Sequence, residues 1–182
     1  MRGRVRIAVA SALVAGAAVA GTVALADGGD GIREELTGYQ EDPLTISTPA
    51  SGDFHASLQA KKSAISYRLS YSGFETNVQQ AHIHFGGRHQ SGGISVWLCG
   101  NNPPITNTPA GTQACPNGSG THTVTGTIRP ADVIGPAAQG IAAGEFDELL
   151  DAIANDVTYV NVHSDQYPGG EIRAQLEPTH DG

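Results

Sequence analysis

The sequence contains little positive charge. Its 182 residues include 10 lysines and arginines but 18 aspartates and glutamates, which gives a formal net charge of −8. Three of the cations, Arg2, Arg4 and Arg6, precede every acidic residue, so a chain without its first 26 residues would change from −8 to −11. Such a surface repels nucleic acid and anionic membranes. We therefore expect neither as a partner, whereas cations and basic partners suit the charge.

The common catalytic motifs are also absent. The sequence has no Gly-x-Ser-x-Gly nucleophile elbow, no glycine-rich phosphate loop and no Cys-x-x-Cys pair. Asp132, Asp147 and Asp151 occur singly in predicted turn or helix contexts, and their spacing indicates no glycosidase pair. These absences favour binding over catalysis.

Cysteine is scarce, with Cys99 and Cys115 as the two examples. In an exported chain, two cysteines at this separation favour one disulfide that closes a loop of about 15 residues and stabilises by roughly 3 kcal/mol. A thiol nucleophile and a thiolate metal ligand are the alternatives. The residues between them are rich in asparagine, proline and threonine, which predicts a loop.

The N-terminus has the three-part pattern of a secretory signal. Three arginines are followed by the apolar residues 7–26, which end in Ala-Leu-Ala, and cleavage is expected after Ala26. A membrane anchor is the alternative, because about 20 apolar residues can span a bilayer. The acidic, glycine-rich residues 27–30 that follow favour cleavage. We therefore predict a secreted protein of one domain, with no stable membrane span after cleavage.

Period-2 alternation dominates the rest of the chain. Residues 54–58 and 65–71 alternate between apolar and polar side chains, as half-buried strands do. Five further short segments are strand candidates: residues 81–85, 94–98, 122–128, 157–163 and 171–176. Seven such strands predict an all-β fold, an antiparallel Greek-key sandwich. Residues 27–51 predict an irregular lead-in with one short strand near residues 44–46, and residues 179–182 predict a frayed tail.

One helix is predicted among the strands. Phe146, Leu149, Leu150 and Ile153 have the i, i+3, i+4, i+7 spacing of an amphipathic helix over residues 145–154. We expect this helix to lie across a sheet edge or a barrel end.

Three histidines are the candidate metal ligands. His82 and His84 are two residues apart in a predicted strand, so both project from one face. In the late strand Val160 and Val162 predict a core face, which places His163 on the opposite face with Tyr159 and Asn161. Imidazole sets suit copper or zinc, and His163 is the natural third ligand if the two strands are neighbours.

The simpler interpretation is that these histidines only form hydrogen bonds that hold loops. His55, His89 and His122 are weaker auxiliary candidates, and His180 lies in the predicted tail. Pro168 and the glycines at 169 and 170 predict a sharp turn between two strands. Glu171 and Arg173 follow on one strand face, either as support for the histidine-bearing turn or, more simply, as part of an ion-paired exposed hairpin.

The residues that carry these predictions resemble the CHRD domain, a module first recognised in chordin. The matching pieces are residues 54–58, Ala81-His82-Ile83-His84, residues 124–128, and residues 159–164 followed by Pro168-Gly169-Gly170-Glu171-Ile172-Arg173. Together they predict a CHRD domain over residues 52–178. The resemblance implies an extracellular module and no established reaction, and the growth-factor binding of chordin is not carried over, because the cysteine-rich repeats of chordin are missing here. With the histidines considered as well, we expect a binding module whose partner is an unknown extracellular protein or a metal ion. The two-cysteine insertion at 101–119 departs from the pattern and is expected to cap one end of the sandwich.

A looser similarity concerns the histidine-bearing strands. His82, His84 and the Val-Asn-Val-His sequence that ends at His163 look like the copper-bearing strands of copper/zinc superoxide dismutase, another Greek-key sandwich. The sandwich is therefore expected to be immunoglobulin-like or superoxide-dismutase-like. Two alternatives to metal binding by a binding module stay open: a dismutase-type copper enzyme in which Arg173 steers an anion, and a purely structural envelope or matrix module.

Overall fold

The computed structural model describes residues 31–59, 63–101 and 106–178, and within them the chain forms eight β-strands and one α-helix. The elements are β1 (Gly31–Thr37), β2 (Ser51–Leu58), β3 (Ile65–Ser72), β4 (Val78–Phe85), β5 (Gly93–Gly100), β6 (His122–Ile128), α1 (Phe146–Ala154), β7 (Thr158–Ser164) and β8 (Ile172–Gln175). The predicted all-β class with one short helix is confirmed. The predicted signal segment and the tail lie outside the described residues. Among the helices that are described, none has the length and hydrophobicity to cross a membrane.

The strands form one antiparallel sheet that nearly closes on itself. Their order is β5-β4-β7-β8-β1-β2-β3-β6, and every pairing is antiparallel. The chain runs β1-β2-β3 as a meander, after which β4 lies on the far side of β8 and β7. These crossings give the predicted Greek-key character. As a result, the early histidine strand β4 lies directly beside the late strand β7.

The two end strands of the sheet, β5 and β6, are joined by side chains. The Gln113 amide donates to the carbonyl oxygens of Leu98 in β5 and Thr125 in β6, at 3.2 and 3.1 Å. It also donates to the Tyr67 hydroxyl, which in turn donates to the Leu98 carbonyl. The loop that contains Gln113 therefore links the two edges where backbone pairing stops.

The interior is filled by the apolar side of each strand, as the alternation predicts. Phe54, Leu69, Ile83, Val124 and Val160 come from five different strands and are fully buried. At about 25 cal/mol for each Å² of apolar surface removed from water, such residues supply most of the driving force for folding. They also fix the register, because a shift of one residue would turn the apolar side outward.

Helix α1 buries the apolar side that its spacing predicts. Phe146, Leu149 and Ile153 are buried, and Leu150 packs partly against the core. Leu150 and Ile153 line an apolar pocket of about 220 Å³ together with Ile32 of β1 and other residues of the neighbouring strands. The helix therefore covers one end of the sheet, as expected.

The stretch predicted to be an irregular lead-in contains a strand. All seven residues of β1 pair with β2, and Ile32 and Leu36 are buried. The sequence did not reveal this strand because charged residues separate its apolar positions. The short strand predicted near residues 44–46 is wrong: these residues form no strand, and Leu44 is exposed.

The predicted disulfide between Cys99 and Cys115 is confirmed. Asn101 receives a hydrogen bond from the Cys115 amide and donates to the Val78 carbonyl. The Asn117 side chain accepts from the Val78 amide and donates to the Val78 carbonyl. These bonds tie the disulfide loop to Val78, the first residue of β4.

Candidate metal centre

The outer face of β4, β7 and β8 carries polar side chains that are buried. His82, Asn161 and Arg173 lie side by side across the three strands. The next row on the same face, two residues along each strand, contains His84, Tyr159 and Gln175. All six are shielded from solvent. Alternation correctly predicts that they point away from the apolar interior, but this face is covered by protein instead of water.

Three histidines on this face meet at one point. His82 Nδ1 lies 3.3 Å from His163 Nε2, and the three rings offer ligand atoms that all lie within 4.8 Å of one another. The side chains of His82, His84 and His163 are only 1, 8 and 6% exposed. We call these residues the histidine cluster. Two nitrogens that bind one ion at about 2 Å lie ~3.3–3.5 Å apart, so His82 Nδ1 and His163 Nε2 already have the separation of joint ligands.

Backbone carbonyls determine which ring nitrogens are free. His84 Nδ1 lies 2.9 Å from the Gly92 carbonyl oxygen, and His163 Nδ1 lies 3.0 Å from that of Pro168. A carbonyl oxygen only accepts, so each Nδ1 carries the proton and each Nε2 presents a lone pair. This is the outer hydrogen bond that orients metal-binding histidines in general. Nε2 of His84 is buried without a hydrogen-bond partner, so its lone pair fits a metal ligand.

Glycine is required where the loop approaches His84. A Cβ at Gly92 would lie 1.8 Å from the Phe85 carbonyl oxygen, so a larger residue cannot occupy this position. The Gly92 amide donates to the Tyr159 hydroxyl at 3.0 Å, and its carbonyl accepts from His84. Gly92 therefore connects two side chains of the site through its backbone.

Burial keeps the histidine cluster neutral. Desolvation, followed by repulsion from the other histidines, lowers the pKa of His82 to about 2. Desolvation also lowers the pKa of His84 and of His163 to about 4. Neutral imidazole is the form that binds metal, so at neutral pH protons do not compete for the three rings. The histidine cluster is therefore able to hold a metal ion.

Arg173 forms part of an aromatic and cationic stack beside the histidine cluster. Its guanidinium carbon lies 3.5 Å from the centre of the Tyr159 ring, and the Tyr159 ring stacks on His84 with centroids 4.7 Å apart. Arg173 Nη2 donates to the carbonyl oxygens of Gly87 and Gln90. The expected ion-paired, exposed hairpin face is wrong for Arg173, because the guanidinium is buried and bound to the 86–92 loop.

Glu171 is likewise buried. It accepts hydrogen bonds from the hydroxyls of Thr48, at 2.6 Å, and Ser164. Thr48 belongs to the segment between β1 and β2, and Ser164 follows His163 in β7. Glu171 thus supports the histidine-bearing strand and ties it to the segment that covers it, which is the first of the two roles considered for this residue.

Two side chains at the site were missed by the sequence analysis. Glu41 is buried and accepts from Asn161 Nδ2 at 2.6 Å, and Trp97 of β5 contacts the His82 ring with centroids 4.2 Å apart. The alternation of β5 places Trp97 on the same side as Ser95 and opposite Val96 and Leu98, a signal that was available. No periodic signal marks Glu41, because it lies in a segment without regular structure.

The auxiliary histidines do not join the cluster. Among the described residues, the group able to hold a metal consists of His82, His84 and His163 alone. His55 lies on β2, His89 in the 86–92 loop, and His122 bonds the Gly118 carbonyl at 3.0 Å. His180 lies outside the described part of the chain.

Comparison with known proteins identifies the family. The sequence model of the CHRD domain matches residues 32–176, which is most of the chain. No curated protein and no solved structure matches this chain. The matched range begins within β1 and ends just after β8, so it covers the whole sheet and the histidine cluster. The chain therefore belongs to the CHRD domain family.

Proposed function

We propose that this CHRD domain is an exported binding module that holds a transition-metal ion, copper or zinc, through His82, His84 and His163. The observation that carries the proposal is the convergence of three buried, neutral imidazoles whose ligand atoms lie within 4.8 Å. Hydrogen bonds to Gly92 and Pro168 point the Nε2 lone pairs of two rings into the site. Membership in the CHRD family supports the coarser statement that the domain is a binding module.

Titration of metal-stripped protein with zinc or copper tests the site. The wild type is expected to bind one ion, and His84→Ala is expected to weaken binding by more than ~100-fold, since loss of an outer hydrogen bond alone costs 10–100-fold. His122→Ala is the matched control, because this histidine lies outside the cluster. The chain's single tryptophan, Trp97, contacts His82 and provides a fluorescence signal. Equal affinity of the wild type and a folded His84→Ala variant would remove the site.

The dismutase alternative gains no specific support. An arginine that steers an anion needs a free guanidinium at the mouth of the site. Arg173 is buried, covers Tyr159 and donates to two loop carbonyls. We therefore assign Arg173 a structural role in fixing the 86–92 loop. If neither zinc nor copper binds in the titration, the purely structural module is favoured instead.

Export is the second part of the proposal. The arginine-led apolar N-terminus and the disulfide both suit an oxidising compartment outside the cytoplasm. N-terminal sequencing of the protein recovered from outside the cell is expected to begin at Asp27. A cell-bound protein that retains Met1 would contradict cleavage and favour the anchor.

A further inference from the structure

The donor set of the histidine cluster contains no negative charge. The group consists of three imidazoles, and among the described residues no carboxylate or thiolate belongs to it. Both cysteines are joined in the disulfide, which removes thiolates as ligands. A cation bound here would therefore keep its full formal charge.

A buried arginine lies beside the histidine cluster. Buried Arg173 lies against Tyr159, and Tyr159 stacks on His84, so one aromatic ring separates the guanidinium from a ligand. Two buried acids lie in this network: Glu41 bonds Asn161, and Glu171 bonds Thr48 and Ser164, so neither bonds a histidine of the cluster. Desolvation raises the pKa of Glu41 to about 8, which leaves this carboxyl mostly protonated at neutral pH. Among the described residues, no carboxylate belongs to the group that would offset a second charge on a bound ion.

This electrostatic environment discriminates between ions by charge. The cost of moving an ion from water into a low-dielectric interior rises with the square of its charge, and only opposite charges nearby repay it. Zinc is divalent and commonly binds thiolate, carboxylate or a fourth water ligand in addition to histidine. Copper(I) carries half that charge and is a softer ion than zinc.

We propose that the histidine cluster selects copper(I) over zinc(II). The inference rests on the proposed metal-binding function and names its preferred ion. It is supported by the neutral three-imidazole donor set, the depth of burial and the guanidinium beside the cluster. Under this proposal, the charge of the bound ion is the quantity the site recognises, and Arg173 raises the selectivity without touching the metal.

The experiment measures both affinities on the same disulfide-intact, metal-stripped protein without oxygen. Copper(I) affinity is obtained by competition with a chromophoric copper(I) chelator, and zinc(II) affinity by competition with a chromophoric zinc chelator. Copper(I) is expected to bind at least ~1,000-fold more tightly than zinc(II). If zinc(II) binds as tightly as copper(I), the inference is overturned while the proposed function stands. If neither ion binds, the proposed function itself fails.

Arginine variants test the electrostatic cause. Arg173→Gln removes the buried charge and is expected to reduce the copper(I)-to-zinc(II) affinity ratio by at least ~10-fold, whereas Arg173→Lys keeps the charge and should keep most of the ratio. Arg88→Gln is the matched control, because Arg88 is an exposed arginine paired with Glu177. A folded Arg173→Gln variant with the wild-type ratio would overturn the role of Arg173. If Arg173→Gln does not fold, the wild-type ratio alone decides whether the site selects copper(I).

Discussion

Burial controls the ionisation of single residues around the histidine cluster. Glu41 has an acidic side chain with a raised pKa, whereas the three histidines have lowered ones. Desolvation is the largest cause in every case, and it favours the neutral form of each group. The site is therefore a buried polar layer held largely by neutral hydrogen bonds, with Arg173 as its cation.

Ionisation of Glu41 is expected to destabilise the wild type as the pH rises, and Glu41→Gln should remove this effect. The folded-state pKa of about 8 lies above the ordinary value of 4.5, so stabilisation from the bound proton is complete below pH 4.5 and is lost as pH rises through 8. Glutamine stays neutral and keeps an oxygen for Asn161. Urea unfolding gives the free energy of unfolding of both proteins from pH 4.5 to 8.5. The value for the wild type should fall relative to that of Glu41→Gln by a few kcal/mol over this range. A constant difference across this range would contradict the assignment.

Gly170→Ala is expected to destabilise the turn after His163. Gly170 has a φ of +132°, and an added Cβ would lie 2.6 Å from Glu41 Oε2 and 2.7 Å from Asn161 Nδ2. Backbone strain and the clash together predict a loss of about 2 kcal/mol or more in the free energy of unfolding. Gly169→Ala is the matched control, because a Cβ there meets nothing within 4 Å. Similar losses in the two variants would show that crowding at Gly170 is unimportant.

At the scale of elements, the strand pairing of β4 with β7 creates the histidine cluster. His82 is opposite Asn161 and His84 is opposite Tyr159, while His163 is opposite Gln80. A register shift of one residue would send these histidines into the apolar interior. The buried valines and isoleucines on the other face therefore also keep the three imidazoles together.

Gln113→Ala is expected to loosen the junction between β5 and β6. The Gln113 amide bridges Leu98 and Thr125 where the strands lack a backbone ladder. Loss of these bonds predicts a decrease of about 1–3 kcal/mol in unfolding free energy and faster amide hydrogen exchange at the β5 and β6 edges. Gln59→Ala serves as the control, since its amide donates to Ser66. Unchanged exchange in β5 and β6 would show that the bridge is not needed.

Removal of the disulfide is expected to destabilise the loop before β6. The Cys99–Cys115 bond closes a segment with a sequence separation of 16, and chain entropy predicts a loss of about 3 kcal/mol in a C99A/C115A double variant. Urea unfolding of reduced wild type and of the variant should give similar values. A much smaller loss in both would indicate that the asparagine contacts with Val78 hold the loop without the bond.

For the whole molecule, the metal-free protein is expected to lose stability in acid. Burial lowers the pKa of His84 and of His163 from 6.5 to about 4, so below pH 6.5 the unfolded chain binds protons that the folded protein does not. The related stabilisation is complete above pH 6.5 and is lost as pH falls through 4. Urea unfolding at pH 7, 5.5 and 4 measures this loss. A folded His84→Gln variant has one buried histidine fewer, so its free energy of unfolding should decrease less between pH 7 and pH 4 than that of the wild type. Equal decreases in the two proteins would contradict the role of histidine burial.

The sequence by itself determined the sheet-forming alternation, the helix, the disulfide pair and the outward direction of His82, His84 and His163, because these depend on periodicity and on residue type. Only the tertiary structure decided that β1 is a strand, since its pairing with β2 outweighs its charged composition. It also decided that the outward face is buried: the 38–50 and 86–92 segments cover it and bring Glu41 and Gly92 to the site. Contacts between segments distant in sequence leave no local period, so this enclosure was not predictable from the chain alone.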